Sequence, residues 1–265
     1  MALNRHTIFA DKSPRATDKS SAFRYLTSLQ SGEQGVHSDA SALDLILRGD
    51  PALFAIVRLS LVVSLSAVAI SAVIGVPFGA LVALTRFRGR EGVIVLLNTL
   101  MGLPPVVVGL AVYLALSRSG PLGSLGLLFT PAAMVVAQTI LVTPIIAALA
   151  RQAIEDLWQE YRDELTAMNV APFGRVATLI WEGRFSLVVT LLAGFGRAAA
   201  EVGAIIIVGG NIDGYTRTMT TAIALETSKG DLALALGLGA VLIAIVIAVN
   251  ALVWIARRAG ENFAG

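Results

Sequence analysis

The chain has 265 residues, of which 56% are hydrophobic and 14% are charged, and its mean hydropathy is +0.78. Soluble domains usually carry about 25% charged residues, so this composition is typical of a polytopic membrane protein. The net charge of +2 is small and the arginines cluster at the ends of apolar segments, which indicates membrane topology rather than nucleic-acid binding. The absence of cysteine excludes disulfides and thiolate metal sites, and two histidines near the N-terminus leave little for a metal site.

Residues 1–43 are polar and rich in serine, which predicts a disordered N-terminal tail. No apolar segment follows the early positive charges, so the tail does not have the pattern of a secretory signal. A misassigned start codon is an alternative explanation of the tail. A partial helix near residues 43–53 also remains open.

Five apolar segments follow, each near the 20 or so residues that a helix needs to cross a bilayer. They are residues 59–85, 92–117, 129–150, 185–210 and 232–256. Pro104 and Pro105 lie in the middle of the second segment, where proline frees backbone carbonyls that lipid cannot satisfy. We interpret this break as part of a transport pathway, and a purely structural kink is the alternative.

The fourth segment contains two charges, Arg197 and Glu201, spaced so that they meet on one helix face. A single charge at mid-membrane costs about 2.5–3.5 kcal/mol on insertion scales, and pairing reduces that cost. The pair is therefore predicted to lie beside the pathway or a dimer seam. The alternative is a structural ion pair near the membrane interface.

Residues 151–183 form the long charged stretch between apolar segments. Apolar residues recur there at three- and four-residue spacing, which predicts an amphipathic helix: Ile154, Leu157, Trp158, Tyr161, Leu165 and Met168. The sequence Ala171-Pro172-Phe173-Gly174 then predicts a turn, followed by a second short helix at residues 175–181. Two short helices joined by a turn would suit a docking surface, and an amphipathic helix on the lipid surface is the alternative.

Five spans place the charged stretch, the loop after the first span and the C-terminus on one side. That side carries nine arginines: Arg86, Arg88, Arg90, Arg151, Arg162, Arg175, Arg184, Arg257 and Arg258. The opposite loops carry Arg118, Arg217 and Lys229. The positive-inside rule therefore predicts that the charged stretch is cytoplasmic.

The charged stretch resembles the cytoplasmic coupling loop of ABC importer permeases, whose motif is EAA, three residues, G, nine residues and I-x-L-P. Glu164, Leu165 and Thr166 occupy the EAA positions, Val170 the glycine and Ile180 the isoleucine. Glu182 and Gly183 replace Leu-Pro, so the match lies in length, place and the leading glutamate. The resemblance implies that Asp163, Glu164, Leu165, Thr166 and Val170 couple the chain to an ATPase.

Further blocks resemble tungstate ABC transporter permeases over residues 44–256, in the same order and spacing. They are NTLMGLPPVVVG at 98–109, SRSGPLG at 117–123, FGRA at 195–198, EVG at 201–203, VGGNI at 208–212 and TRTMTTAIALETSKGD at 216–231. The permease domain is accordingly assigned to residues 44–258.

This resemblance implies an all-α polytopic membrane protein with the type I ABC importer permease fold, in the inner membrane of a prokaryote. It further implies a homodimer that binds ABC ATPase subunits and an extracytoplasmic solute-binding protein, and that imports an oxyanion. The chain would be neither an enzyme nor a nucleic-acid or cofactor binder. A Walker phosphate loop is absent from the sequence, so ATP hydrolysis would belong to the partner.

The stretch after the fourth span is expected to lie at the outer face or gate. Its candidate residues are Asn211, Thr216, Arg217, Thr220 and Thr221. Threonine hydroxyls can donate hydrogen bonds to an oxyanion, and solvent contact or docking of the binding protein is the alternative.

Other functions remain open at the level of the sequence. Within the family, the cargo could instead be molybdate or sulfate. An ion-coupled secondary transporter would use intramembrane carboxylates and typically internal repeats, but the sequence shows no clear repeat and Glu201 as its one strongly intramembrane acid. A membrane scaffold would need neither a proline break nor a charged pair.

Overall fold

The structure, a computed structural model, describes residues 51–264, with the side chains of residue 52 and residues 256–264 outside the description. The helices are α1 (Pro51–Leu84), α2 (Arg90–Met101), α3 (Pro105–Leu116), α4 (Pro131–Ala167), α5 (Pro172–Glu182), α6 (Arg184–Ala199), α7 (Gly203–Gly209), α8 (Met219–Lys229) and α9 (Leu232–Ala264). No β-strand occurs within this part of the chain, so the all-α prediction is confirmed. The predicted N-terminal tail and the partial helix before Pro51 lie outside the described residues.

Helix α4 is the centre of the bundle and packs most extensively on α1. The two backbones approach closely at Gly79, where an added Cβ would lie 2.4 Å from the carbonyl oxygen of Ala147. Thr143 and Ser71 add a polar link, because Oγ1 of Thr143 donates to Oγ of Ser71 over 3.1 Å. Small and hydroxyl residues of this kind let two membrane helices pack at short distance.

Four apolar clusters include residues of α4, and three of them follow the helix from one end to the other. At one end, Met134 packs with residues of α1, α3 and α7, including Val63, Val108 and Val208. In the middle, Ile146 packs with Phe195 of α6. At the other end, Ile154 packs with Leu179 of α5, so α4 joins the membrane-spanning core to the charged stretch.

Three described helices are long and apolar enough to cross a membrane: Leu53–Leu84, Pro131–Ala167 and Leu232–Ile255. Two bent pairs also qualify by length and composition, Arg90–Met101 with Pro105–Leu116 and Pro172–Glu182 with Arg184–Ala199. The number of candidate spans is therefore three to five. Exposed apolar side chains along α1 and α9, such as Val73 and Leu236, are suited to contact with lipid.

Three expectations about the extent of helices are wrong in detail. The amphipathic segment of residues 154–168 is not a separate short helix, because α4 runs unbroken from Pro131 to Ala167. The helix expected at residues 175–181 begins earlier, since Pro172 occupies its first turn, where proline's missing N–H has no cost. The segment at residues 185–210 is also not one helix, because the chain breaks between α6 and α7.

Candidate coupling surface and broken spans

The end of α4 and the whole of α5 form a compact hairpin, residues 151–183. We call it the cytoplasmic tip after the side of the membrane that the positive-inside rule predicts for it. Ile154, Leu165 and Leu179 are buried in its core, with Val170 packed against them. The turn is closed by the N–H of Val170, which donates to the carbonyl of Leu165 over 3.1 Å. The guanidinium of Arg175 then donates from Nε to the carbonyl of Val170. The tip is therefore a packed unit rather than a loose loop.

Within this unit the five predicted coupling residues separate into two groups. Leu165 and Val170 face the core, whereas Asp163, Glu164 and Thr166 are exposed. Three apolar side chains of the tip are also exposed: Met168 is 74% exposed, Phe173 85% and Trp181 67%. Met168 was expected on the apolar core face, but α4 ends at Ala167 and the side chain faces outward.

The first broken span lies between α2 and α3, whose axes meet at 96°. The N–H groups of Gly102 and Leu103 are satisfied by the carbonyls of Thr99 and Leu100 in a tight turn. Pro105 then begins α3, and Pro104 is its N-cap. The predicted break at Pro104 and Pro105 is confirmed, and it turns the chain by about a right angle instead of producing a mild kink.

A second break, separate from the bend between α5 and α6, interrupts the apolar segment of residues 185–210 between α6 and α7. Glu201 stands in this break with 4% of its surface exposed. We call the α2–α3 and α6–α7 segments the two broken spans. One carboxylate oxygen accepts a hydrogen bond from the N–H of Ala204 over 3.1 Å. The other oxygen lies 3.4 Å from Nη2 of Arg197, so the predicted ion pair is present although the helix is interrupted. The side chain thus caps α7 and balances a cation.

Side chains from distant elements satisfy the backbone at this second break. Nε2 of Gln138 on α4 donates to the carbonyl of Ala198 over 2.9 Å. Oγ1 of Thr220 on α8 donates to the carbonyl of Glu201, also over 2.9 Å. These donors supply the hydrogen bonds that a continuous helix would have supplied.

The two breaks lie side by side. A Cβ on Gly109 of α3 would stand 2.7 Å from the Cα of Ala204 on α7. A Cβ on Gly203 would stand 2.9 Å from a methyl group of Val106. The starts of α3 and α7 are therefore in close contact, and this paired break is the most polar buried part of the membrane-spanning core that the structure describes.

The threonines after α7 are buried rather than exposed to solvent. Oγ1 of Thr216 donates to the carbonyl of Gly209 and accepts from the N–H of Ile212. Thr218 and Thr221 form a reciprocal cap at the start of α8, where each side chain binds the other residue's backbone N–H. Together with Thr220, these hydroxyls are used to hold the chain in place in this conformation.

The two remaining candidates near this loop differ from the threonines. Arg217 forms an ion pair with Asp213, at 2.9 Å, and both line an open cavity of about 430 Å³ together with Arg58 and Tyr215. Asn211 has a positive φ of 50° and begins the turn into this loop. The structure therefore places Arg217 at a water-accessible cavity and Asn211 in a turn.

Comparison with known proteins supplies the family. No protein-family model matches the chain. The probable anion ABC transporter permease protein of Haloferax volcanii is 44% identical over 205 residues, which cover 76% of this chain and 88% of the relative. The tungstate uptake system permease protein TupB of Peptoclostridium acidaminophilum is 38% identical over 214 residues, covering 81% of this chain and 94% of the relative.

The chain belongs to the ABC transporter permeases for tungstate and related anions. A more distant relative, the molybdenum transport system permease protein ModB of Azotobacter vinelandii, is 27% identical over 179 residues, covering 64% of this chain and 78% of the relative. The resemblance drawn from the sequence blocks is therefore confirmed at the level of the family.

Several residues of the permease's candidate site were not singled out from the sequence. Gln138 lies in the apolar segment of residues 129–150, and its role at the second break depends on contacts across the bundle. Its Oε1 is buried and has no partner among the described residues. Exposure of Phe173 was also missed, although a phenylalanine directly after a helix-starting proline is a signal that could have found it.

Proposed function

We propose that this permease imports tungstate into the cytoplasm, with the cytoplasmic tip as the docking surface for an ABC ATPase. The observation that carries the docking assignment is the grouping of exposed Asp163, Glu164 and Thr166 with exposed Met168 and Phe173 on a rigid hairpin. A polar rim around apolar side chains is the usual composition of a protein interface. The cargo assignment rests on the similarity to tungstate and anion permeases.

Orientation follows from the distribution of arginines, which places the tip and the C-terminus in the cytoplasm. The cavity beside Arg58, Tyr215 and Arg217 then lies on the outer side, where an extracytoplasmic binding protein would release its cargo. Arg58 offers a guanidinium group to a dianion there, beside the ion pair of Arg217 with Asp213, and does not enclose it. Loose contact suits a pathway, since tight binding would prevent release.

The paired break is the proposed gate, and two copies of the chain would form the pathway between them. Arg197 has 35% of its side chain exposed and makes one contact of 3.4 Å to Glu201. Because the second oxygen of Glu201 is held by the cap at Ala204, the carboxylate is fixed and the guanidinium is the mobile partner. A passing oxyanion can therefore contact the guanidinium of Arg197, while Glu201, its counter-charge, stays in place.

In the proposed coupling, ATP-driven closure of the ATPases switches the permease between its two conformations, inward-open and outward-open. ATP-driven closure of the ATPases moves the two cytoplasmic tips together, and α4 carries this motion to the paired break. Glu164→Lys tests the docking step, because reversed charge on the exposed tip should weaken ATPase binding. Normal assembly and normal uptake by this variant would contradict the assignment, and Glu160→Lys, exposed on the same helix but outside the five predicted coupling residues, is the matched control.

Cargo is tested by reconstituting the permease in a bilayer with its ATPase and binding protein. ATP hydrolysis is measured with tungstate, molybdate and sulfate added in turn. Stimulation by tungstate-loaded binding protein is expected. Stimulation by molybdate or sulfate alone would support an importer of that anion and contradict tungstate as the cargo. Failure to form any complex with an ATPase would overturn the proposed function.

A further inference from the structure

A small group of charges joins α2 to α4 at the start of the cytoplasmic tip. Nη2 of Arg90, the first residue of α2, lies 2.7 Å from Oε1 of Glu155 on α4. Nη1 of Arg151 contacts the other oxygen, Oε2, from one turn earlier on α4. The side chain of Arg90 is 19% exposed, that of Glu155 30% and that of Arg151 16%. Water therefore screens these ion pairs only partly.

Arg90 also reaches a third helix. Its Nε donates to the carbonyl of Val82 over 3.0 Å, in the last turn of α1. Carbonyls in the last turn of a helix have no partner within that helix, so this bond satisfies a group that would otherwise be unpaired. One planar guanidinium thus bridges the end of α1, the start of α2 and the side of α4.

The three helices differ in how firmly they are otherwise connected. Close backbone contact at Gly79 fixes α1 to α4 directly. Helix α2 contacts α4 through an apolar cluster of Leu97 with Ala147 and Ala148, which has no directional bond. The charge-assisted bonds of Arg90 are therefore the directional attachment of α2 to α4 at this end.

The attachment lies where a mechanical link would be needed. Glu155 stands on α4 between the membrane-spanning part and the exposed tip, and α2 leads from Arg90 to the break at Pro104. We propose that the Arg90–Glu155 pair is the joint through which movement of the cytoplasmic tip is transmitted to α2 and hence to the paired break. This role rests on the proposed docking of an ATPase at the tip.

The joint is tested by the amount of tungstate transported for each ATP hydrolysed in the reconstituted transporter. Arg90→Gln removes the charge and the fork of donors, and is expected to lower this ratio about ten-fold or more, while binding-protein-stimulated hydrolysis continues. Glu155→Gln keeps one acceptor and is expected to have a smaller effect. The matched controls are Arg88→Gln and Glu160→Gln, both exposed and outside the joint, with the wild-type ratio expected.

A chemical cross-link tests whether the Arg90–Glu155 pair transmits movement or only stabilises the fold. Because the chain contains no cysteine, Arg90→Cys combined with Glu155→Cys creates the only two thiols. This double variant is expected to be uncoupled when reduced and to recover coupling when a short bis-methanethiosulfonate linker joins the thiols. Recovery through a covalent link with no charge is not expected if Arg90 only stabilises the fold.

The outcomes distinguish the joint from the docking proposal. An assembled Arg90→Gln complex with the wild-type ratio overturns the joint and leaves docking intact. An uncoupled double variant that does not recover on linking overturns the transmission role as well. Absence of any complex between the wild-type permease and an ATPase overturns the docking proposal, and the joint fails with it.

Discussion

The two broken spans interrupt the backbone by different means. Between α2 and α3 the break is built into the covalent chain, because Pro104 and Pro105 have no N–H to donate. Between α6 and α7 no proline is present, and the break is held by Glu201, Gln138 and Thr220 through side-chain hydrogen bonds. The first break should therefore tolerate change at single positions, whereas the second depends on a network in which each member is needed.

The largest expected effect is at Glu201. Glu201→Ala removes the hydrogen bond that caps α7 and leaves the partly exposed Arg197 without its counter-charge, which should cost about 2–3 kcal/mol and abolish uptake. Glu201→Gln keeps an acceptor for Ala204 and should retain more stability. The midpoint of thermal unfolding in detergent measures both, with Glu91→Ala as the exposed control. An unchanged midpoint for Glu201→Ala would mean that the network does not hold the break.

The next effect is at Gln138. Gln138→Leu keeps the volume close to that of glutamine but removes the side-chain donor to the carbonyl of Ala198, which keeps only the N–H of Glu201 at 3.3 Å, at a cost of about 1–2 kcal/mol. Gln159→Leu on the same helix is the control, since that side chain is exposed. Equal unfolding midpoints for the two variants would show that Gln138 does not stabilise the second break.

A loss of stability of similar size is expected at the contact between the two breaks. Gly109→Ala forces a methyl group against the backbone of Ala204, where it would stand 2.7 Å from the Cα, and should cost about 1–3 kcal/mol and reduce uptake. Gly92→Ala, on α2 with no atom within 4 Å of the added Cβ, should be neutral or slightly stabilising. Similar behaviour of the two variants would show that α3 and α7 separate readily.

The smallest effect is expected at the proline break itself. Pro105→Ala should change stability by less than about 1 kcal/mol, because the first helical position needs no N–H bond and alanine adopts the same backbone angles. The distance between spin labels placed on α2 and α3 should stay constant. A longer distance, as in one straightened helix, would show that Pro105 is essential to the bend.

The sequence predicted the first break and missed the second for a physical reason. Proline acts on its own backbone, so its effect is visible at the position where it occurs. The residues Ala200, Glu201 and Val202 contain no helix breaker, and the spacing of Arg197 to Glu201 even favours a continuous helix. The groups that stabilise the interruption come from α4 and α8, which no local pattern can reveal.

The cytoplasmic tip illustrates the same limit in another form. Its apolar periodicity predicted the buried face of Ile154 and Leu165 correctly. The change from apolar to charged composition near Arg151 was interpreted as the start of a new element, although no residue there interrupts a helix. The threonines after α7 were expected to contact an oxyanion, solvent or the binding protein, and their burial instead depends on the folding of α8 against Ser60 of α1.

The unbroken length of α4 has a mechanical consequence. A helix of 37 residues is about 55 Å long, well beyond the roughly 30 Å of a bilayer's hydrocarbon core. Its closest contact with α1, near Ala147 and Arg151, lies about halfway along it, so about 27 Å of helix extends on either side. If α4 turns about this contact as a stiff lever, a displacement at the tip moves the Pro131 end in the opposite direction, and bending at Pro144 inside the helix reduces the movement that arrives there.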